Sequence, residues 1–546
     1  MQEKYMNPKE YGLPYDSLRE GQVKAIEWLE IENWLEDRGV DKVKVVEAPT
    51  GTGKTGLVLT LAARNPSLRV LVLCATKLEQ AQYEDNVTDK YKGFVSVKGR
   101  NNFHCHLDSP MAEEECTYSQ CYDIHVDEAK CTVANSKSNQ FQCPIRGDCA
   151  YYQQVTKIPN SNVVVTNYAY GLTMLNHNPR GFGKYDLIVS DEGHILDEML
   201  EQFISVKLYQ SQMDRLLNIK LPQLDNVAQW KRWCEDRQYA VDSLYKTAHE
   251  IPADEMTKEE ILLAKRITSV RESFNAIRTM NHDWVVEEDK KVVEFKPVWV
   301  TGNSKQVLFD HAPRHIIMSG TIPSADMLAR KVGIAPDEFG FYRLPYTFPV
   351  ENRPIIVKPV AKMSAKYIDI NMPVVIAEID RIIKQNLDKK ILIHTVNYKI
   401  SKALEQRSAY REYLFTHDSK SRLRVLKDFK RATAPAVLVS PSFDKAVDLP
   451  DKECELTIIA KLPYPYLGSK VMQKRLSDRQ IGRRYYNHET LASLIQMAGR
   501  GVRSETDVCP TIILDSGAPL FLKQCRTQKL IPDGINQAIE VIGSYD

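Results

Sequence analysis

Apolar and polar positions along the 546-residue chain alternate between two registers. Short, almost uninterrupted apolar runs at Val43–Val46, Arg69–Cys74, Asn162–Asn167, Tyr185–Ser190 and Ile316–Ser319 predict strands buried on both faces, the pattern of a parallel sheet. Gly56–Ala63 follows the first of them as a helix, and Ala75–Gln80 follows the second as a loop turning into a helix. Between Leu196 and about Asn281 the period becomes helical. Val227, Trp230, Cys234, Val241, Leu244 and Ala248 share one face, and Ile267, Val270, Phe274 and Ile277 share another. Thr257-Lys-Glu-Glu260 reads as a capping box opening the last of these helices. Asp283–Phe295 reads as a hairpin, so this block is an insertion in an α/β chain. A second α/β unit is expected from about Gly333, with strands at Lys390–His394, Ala436–Ser440, Leu456–Ala460 and Thr511–Leu514.

Composition narrows the class. A chain of this length predicts three or four domains, and 43% hydrophobic with 26% charged residues is ordinary for a globular protein. A net charge of +2 means that any nucleic-acid surface has to be a local groove. Met1–Tyr15 lacks the apolar core of a signal peptide, and no run of eighteen apolar residues offers a membrane span.

The first strand leads into Ala48-Pro-Thr-Gly-Thr-Gly-Lys-Thr55. Strand, glycine-rich loop and helix are the setting of a phosphate-binding loop: Gly51 and Gly53 let backbone N–H groups point at phosphates, and the helix N-terminus adds its dipole. In that reading Ala48, Pro49, Thr50, Gly51, Thr52, Gly53, Lys54 and Thr55 cradle a nucleoside triphosphate. Lys54 reaches the β- and γ-phosphates, and the Thr55 hydroxyl holds Mg²⁺. Upstream, Arg19-x-x-Gln22 opens a helix where Gln22 either reads the edge of adenine or is a solvated helix start. Asp191-Glu-Gly-His194 closes the Tyr185–Ser190 strand. An acidic pair there predicts Asp191 as a Mg²⁺ ligand and Glu192 as the group polarising the attacking water. Gln496-Met-Ala-Gly-Arg-Gly-Val-Arg503 is expected on a helix, its Arg500 and Arg503 spaced i, i+3 to face a developing phosphoryl charge across an interdomain cleft.

Cysteine use is uneven. Of eleven, six (Cys105, Cys116, Cys121, Cys131, Cys143, Cys149) fall within 45 residues, where even placement would put about one. Without a secretory signal, disulfides are the wrong reading. Without a Cys-x-x-Cys pair, zinc ribbons and knuckles are disfavoured, and the chemistry of the thiols leaves iron–sulfur, zinc and no metal open.

In order along the chain, Ala48–Thr55, Asp191–His194, Ser319–Thr321 and Gln496–Arg503 resemble motifs I, II, III and VI of superfamily 2 helicases. The Cys-rich insertion after Lys98-Gly-Arg and the helical insertion after His194 resemble the iron–sulfur and Arch domains of the XPD and DinG group. Ser440–Pro450 is similar to that group's motif V, with Asp448 at its acidic position in the nucleotide site and Ala446 where Gly is usual. Gly193 stands where motif II commonly has Ala. By this resemblance Cys105, Cys143 and Cys149 are the first, third and fourth ligands of a [4Fe–4S] cluster. Cys131 is the second, ahead of Cys121 and Cys116, while Cys74, Cys234, Cys454, Cys509 and Cys525 are ordinary thiols.

The resemblance implies an α/β fold of two RecA-like motor domains, with both insertions in the first. The expected layout is motor domain 1 at 1–98, 156–198 and 296–332, the iron–sulfur insertion at 99–155, the helical Arch-like insertion at 199–295 and motor domain 2 at 333–546. It implies an ATP- and Mg²⁺-dependent helicase moving 5′→3′ on single-stranded and forked DNA, cytoplasmic or nucleoid-associated, monomeric, away from membranes, and a partner of repair, replication or transcription proteins. No nuclease domain is expected, since the chain begins almost directly with the motor. An RNA or RNA:DNA-hybrid helicase, and a nucleotide-gated DNA-binding scaffold, are the alternatives.

Overall fold

The computed structural model of the protein describes residues 7–30, 42–49, 51–105, 125–132, 143–252, 255–418, 420–441 and 449–542. Thr50, Cys116, Cys121, Ala446 and Asp448 lie outside them. Two seven-stranded sheets form the frame. The first runs, edge to edge, Phe339–Arg343, Val43–Glu47, Arg314–Ser319, Leu187–Ser190, Val70–Cys74, Val163–Asn167, Phe94–Ser96, all parallel. The second runs Leu414–Thr416, Ala436–Ser440, Lys390–His394, Leu456–Ile459, Thr511–Asp515, Ile355–Ala361, Ile539–Val541, also all parallel. Every residue of Val43–Glu47, Val70–Cys74 and Lys390–His394 is buried, because helices cover both faces. The apolar runs were therefore the strands, and the architecture is the expected pair of RecA-like domains.

The expected boundary at 333 falls inside the first domain. Phe339–Arg343 pairs in parallel with Val43–Glu47, and Ile334 and Leu344 pack into that domain's cores. The strand is Phe-Gly-Phe-Tyr-Arg at a sheet edge, half-exposed, with neither alternation nor a continuous apolar run to announce it.

The second insertion is not all helix followed by a hairpin. Its helices include Gln210–Leu217, Val227–Glu235, Gln238–Ala248 and Lys258–Thr279, the last opened by the Thr257/Glu260 capping box. Its hairpin, Trp284–Asp289 with Val292–Pro297, gains a third antiparallel strand, Val206–Tyr209. Leu208, Trp230, Phe274 and Phe295 share one core between helices and sheet. Lys265 of this insertion donates to the Asp127 carbonyl of the Cys-rich one, so the two insertions touch.

The Cys-rich insertion is clasped at its base. The Gln154 side chain accepts from the Lys98 N–H (2.9 Å) and donates to the Lys98 carbonyl (2.6 Å), joining the points where the chain leaves and returns. Among the described residues no helix is long and apolar enough to cross a membrane.

Candidate active site between the motor domains

Gly51 and Gly53 adopt φ of 79° and 78°, in the left-handed region open to glycine, and the helix Lys54–Arg64 starts directly after them. A Cβ on Gly51 would sit 2.2 Å from Phe348 Cζ and 2.9 Å from the Arg503 carbonyl. The loop is thus pressed against the link to the second domain and against the end of motif VI. The Ala48 N–H donates to the Ser319 carbonyl (2.8 Å), and both the N–H and hydroxyl of Thr52 donate to the Pro49 carbonyl (3.1 and 2.6 Å). Thr55, half-buried, is the second residue of the helix.

Gln22 is buried with its amide engaged at both ends. Its oxygen accepts from the Arg19 N–H (2.8 Å) and its nitrogen donates to the Gly53 carbonyl (2.8 Å). In this state it braces the phosphate loop, and reading adenine would require it to give up one of these bonds.

Lys54 Nζ lies 2.5 Å from Glu192 Oε1, the two side chains being 20% and 22% exposed. Burial disfavours both charges, yet their attraction, with that of Asp191 for the lysine, outweighs it. Lys54 is raised, and Glu192 is held well below the usual carboxylate range. Asp191, more deeply buried and beside the Glu192 charge, is pushed up instead. The Tyr83 hydroxyl donates to Asp191 Oδ2 (3.0 Å), and the Tyr168 hydroxyl donates to the Asp191 carbonyl (2.9 Å). Glu192 itself has φ of 49°, a left-handed position costing roughly 1–2 kcal/mol, fixed by its N–H on Asp191 Oδ1 (2.9 Å). The two neighbouring carboxylates have different partners, Lys54 for Glu192 and the Tyr83 hydroxyl for Asp191.

A chain of contacts leads from Glu192 into the second domain. Ser319 Oγ donates to Glu192 Oε2 (3.3 Å), His194 Nδ1 meets Ser319 Oγ (2.8 Å), and His194 Nε2 meets the Gln496 amide (2.6 Å). Motifs I, II, III and VI are brought together as the sequence predicts. The arginines differ from expectation. The helix Gly482–Ala498 ends at Gly499, so Arg500 and Arg503 lie beyond it and their i, i+3 spacing does not put them on a helical face. Gly499 and Gly501 disfavour continuation, and a Cβ on Gly501 would fall 2.3 Å from Cys509 Sγ, so the chain turns where only glycine fits. Arg503 is close enough to Lys54 to oppose its charge, while Arg500 is nearly buried beside His394. The Arg503 backbone reaches the phosphate loop at Gly51. Tyr83, Tyr168 and Phe348 join the site without a sequence signal, because a lone aromatic in an apolar context reads as core.

Gly193 has its reason in the neighbouring strand: a Cβ there would lie 2.3 Å from Ile317 Cγ2. Gly193→Ala, although it restores the residue common in motif II, is therefore expected to lower stability by about 1–3 kcal/mol and to reduce ATP turnover by displacing Glu192. Gly193→Ala combined with Ile317→Ala should recover turnover relative to Gly193→Ala alone. Melting curves and phosphate release check both, and unchanged turnover in the single variant would show that the contact is relieved without moving Glu192.

Cys105 and Cys149 are buried in one small cluster with Val126, Ala129 and Tyr151, and Cys131 packs against it. Burial pushes the Cys131 thiol up. Cys105, Cys131 and Cys149 thus come together, while Cys143, half-buried, is not part of that cluster. Among the described residues no three His, Cys, Asp or Glu side chains converge on a site for a metal ion. A four-iron cluster takes one thiolate at each of four corners, so its ligands ring a volume instead of meeting at a point. Cys74, Cys234, Cys454, Cys509 and Cys525 are core thiols.

Residues 16–217 match the family described as the type III restriction enzyme res subunit, and residues 381–533 match the helicase C-terminal domain family. No curated protein matches the chain by sequence. Among solved structures, one titled as an XPD helicase superposes with a TM-score of 0.61 at 15% identity, covering 97% of this chain and 100% of that one. Xpd4 of S. tokodaii superposes at 0.58 and 15% identity, covering 96% and 100%. The fold is that of these XPD helicase structures, and its second half carries the match to the helicase C-terminal domain family.

Proposed function

We propose that the protein is a DNA helicase that moves 5′→3′ along a single strand and parts duplexes by hydrolysing ATP between its two motor domains. The observation that supports ATP hydrolysis between the domains is the unbroken line from Lys54 through Glu192, Ser319 and His194 to Gln496, because it joins a hydrolytic carboxylate to the opposite domain. DNA and the 5′→3′ direction rest on likeness to the XPD helicase structures. On ATP binding, the γ-phosphate replaces Glu192 as the partner of Lys54. Glu192, released but still held by Ser319 and His194, then orients and polarises the attacking water. Arg503 and Arg500 stabilise charge developing on the phosphoryl group. Thr55 and Asp191, both oxygen donors suited to a hard cation, are the residues that would hold Mg²⁺, which neutralises phosphate charge. Because this line ends on Gln496 of the opposite domain, rearrangement of Glu192 during each turnover is passed to the second domain and moves the cleft.

Cys105, Cys131, Cys143 and Cys149 would hold a [4Fe–4S] cluster, a donor set of four thiols that fits such a group. It would organise the insertion that meets the duplex ahead of the motor.

The test is strand separation by the purified chain of matched duplexes carrying a 5′ or a 3′ tail, in DNA, RNA and hybrid form. Unwinding of the 5′-tailed DNA duplex alone is expected. Preference for a 3′ tail overturns the polarity, preference for RNA or hybrid overturns the substrate, and ATP turnover stimulated by DNA without unwinding makes the chain a nucleotide-gated scaffold. Binding to single-stranded DNA should also weaken steeply with salt and show little base preference, since contacts to phosphates and stacked bases carry it. Filter binding across a salt series checks this, and strong sequence preference would contradict it.

A further inference from the structure

Behind the active site, a lysine is completely enclosed. Lys331 ends the helix Ala325–Lys331 of the first motor domain, and its side chain is 0% exposed. A lysine is almost never so buried unless its charge is matched. Its ammonium donates to the His194 carbonyl (2.7 Å) and to Glu489 Oε1 (3.0 Å), and forms an ion pair with Asp197 Oδ1 (2.7 Å). Asp197 belongs to the helix that follows motif II, whereas Glu489 belongs to Gly482–Ala498 of the second motor domain. That same helix carries Gln496, which meets the His194 ring. His194 is thus held to one helix of the opposite domain twice, through its ring by Gln496 and through its backbone by Lys331 and Glu489.

Other groups around Lys331 extend the network across both domains. His488 Nδ1 lies 2.9 Å from Glu489 Oε1, and the Tyr485 hydroxyl donates to Asp197 Oδ2 (3.3 Å). Arg475 of the second domain reaches Glu201 (2.5 Å) and lies 4.0 Å from Asp197. Charges so deeply buried are costly, and simple packing would be served as well by apolar side chains. A directional link between domains would not.

We propose that Lys331 is a positioning residue: with Asp197 and Glu489 it clamps the His194 backbone to the second motor domain, so that Glu192 is set for hydrolysis only while the two domains are joined. This rests on the reading of the chain as an ATP-driven motor. Nucleotide hydrolysis at Glu192 and separation of the domains are two ends of one link, and the clamp is the second strand of that link beside Gln496.

The testing variant is Glu489→Gln. It keeps an acceptor of the same shape and leaves Lys331 paired with Asp197, so the fold tolerates it. Lys331→Met would instead strand two buried carboxylates. Hydrogen exchange needs no activity: Glu489→Gln is expected to raise exchange at least tenfold in residues 193–197 and 488–497 and leave 54–64 unchanged. Unaltered exchange in both segments overturns the clamp whatever the chain's activity. In ATP turnover stimulated by single-stranded DNA, Glu489→Gln is expected to lower kcat about tenfold with KM within about twofold. Combined with Gln496→Ala it should cost no more than the worse single variant, because both act through His194. Effects that multiply would show a merely structural role and overturn the proposal. Absence of ATP turnover in the unaltered protein would fall on the proposed function, while hydrogen exchange still decides the clamp.

Discussion

Lys54→Ala should abolish ATP turnover, and Glu192→Gln should abolish hydrolysis while leaving nucleotide bound. The two residues touch at 2.5 Å, yet the consequences differ because their tasks differ. Without Lys54 the γ-phosphate loses its charge partner in a site where burial strengthens every electrostatic term. Loss of one such donor costs about 3–4 kcal/mol in the transition state, or a factor of a hundred to a thousand. Glu192 then also stands beside Asp191 with no lysine between them, and the two carboxylates repel. Glu192→Gln keeps the shape and the left-handed backbone, still accepts from Ser319, and leaves Lys54 free for phosphate. It removes only the carboxylate that polarises water. Equilibrium binding of a fluorescent ATP analogue with phosphate release on the same samples separates the cases. Turnover retained by Lys54→Ala, or nucleotide lost by Glu192→Gln, would contradict the assigned roles.

The second large effect concerns colour. Protein purified without oxygen should be brown, with iron and sulfide in equal amounts. Cys105→Ser, Cys143→Ser or Cys149→Ser should bleach it and end unwinding while sparing ATP binding. The described part of the insertion has a core of five buried residues, two of them Cys105 and Cys149, which is too little to fold on apolar burial. Its base is closed by the Lys98–Gln154 clasp, so the motor beneath stays intact when the insertion unravels. Lys54 belongs to that motor. Cys131→Ser should bleach as well, whereas Cys116→Ser and Cys121→Ser should keep colour. A brown Cys131→Ser protein with a bleached Cys121→Ser one would move the second ligand without touching the cluster. One zinc per chain would refute the cluster.

Much of the motor was legible in the chain because its chemistry is local. A strand buried on both faces must be apolar throughout, so Val43–Glu47, Val70–Cys74 and Lys390–His394 announce themselves. Phosphate binding by backbone N–H groups needs glycine at left-handed positions, so Gly51 and Gly53 do the same. Capping is equally local, and Thr257 with Glu260 makes the helix start that its spacing requires. What the chain alone left open depends on partners distant in sequence. The edge strand Phe339–Arg343 exists because Val43–Glu47 offers it hydrogen bonds, and Val206–Tyr209 because the hairpin does. Arg500 and Arg503 lie beyond the helix, which ends at Ala498, and Gly501 is required there because Cys509 of a later segment fills the space of a side chain. Lys331, in the last turn of its helix, has the sequence of a solvated cation near a helix end. Only folding encloses it, by bringing up the His194 carbonyl from 137 residues away and Glu489 from 158. Burial of a charge is decided by the groups that assemble around it, and those are set by the meeting of two domains rather than by any one stretch of chain.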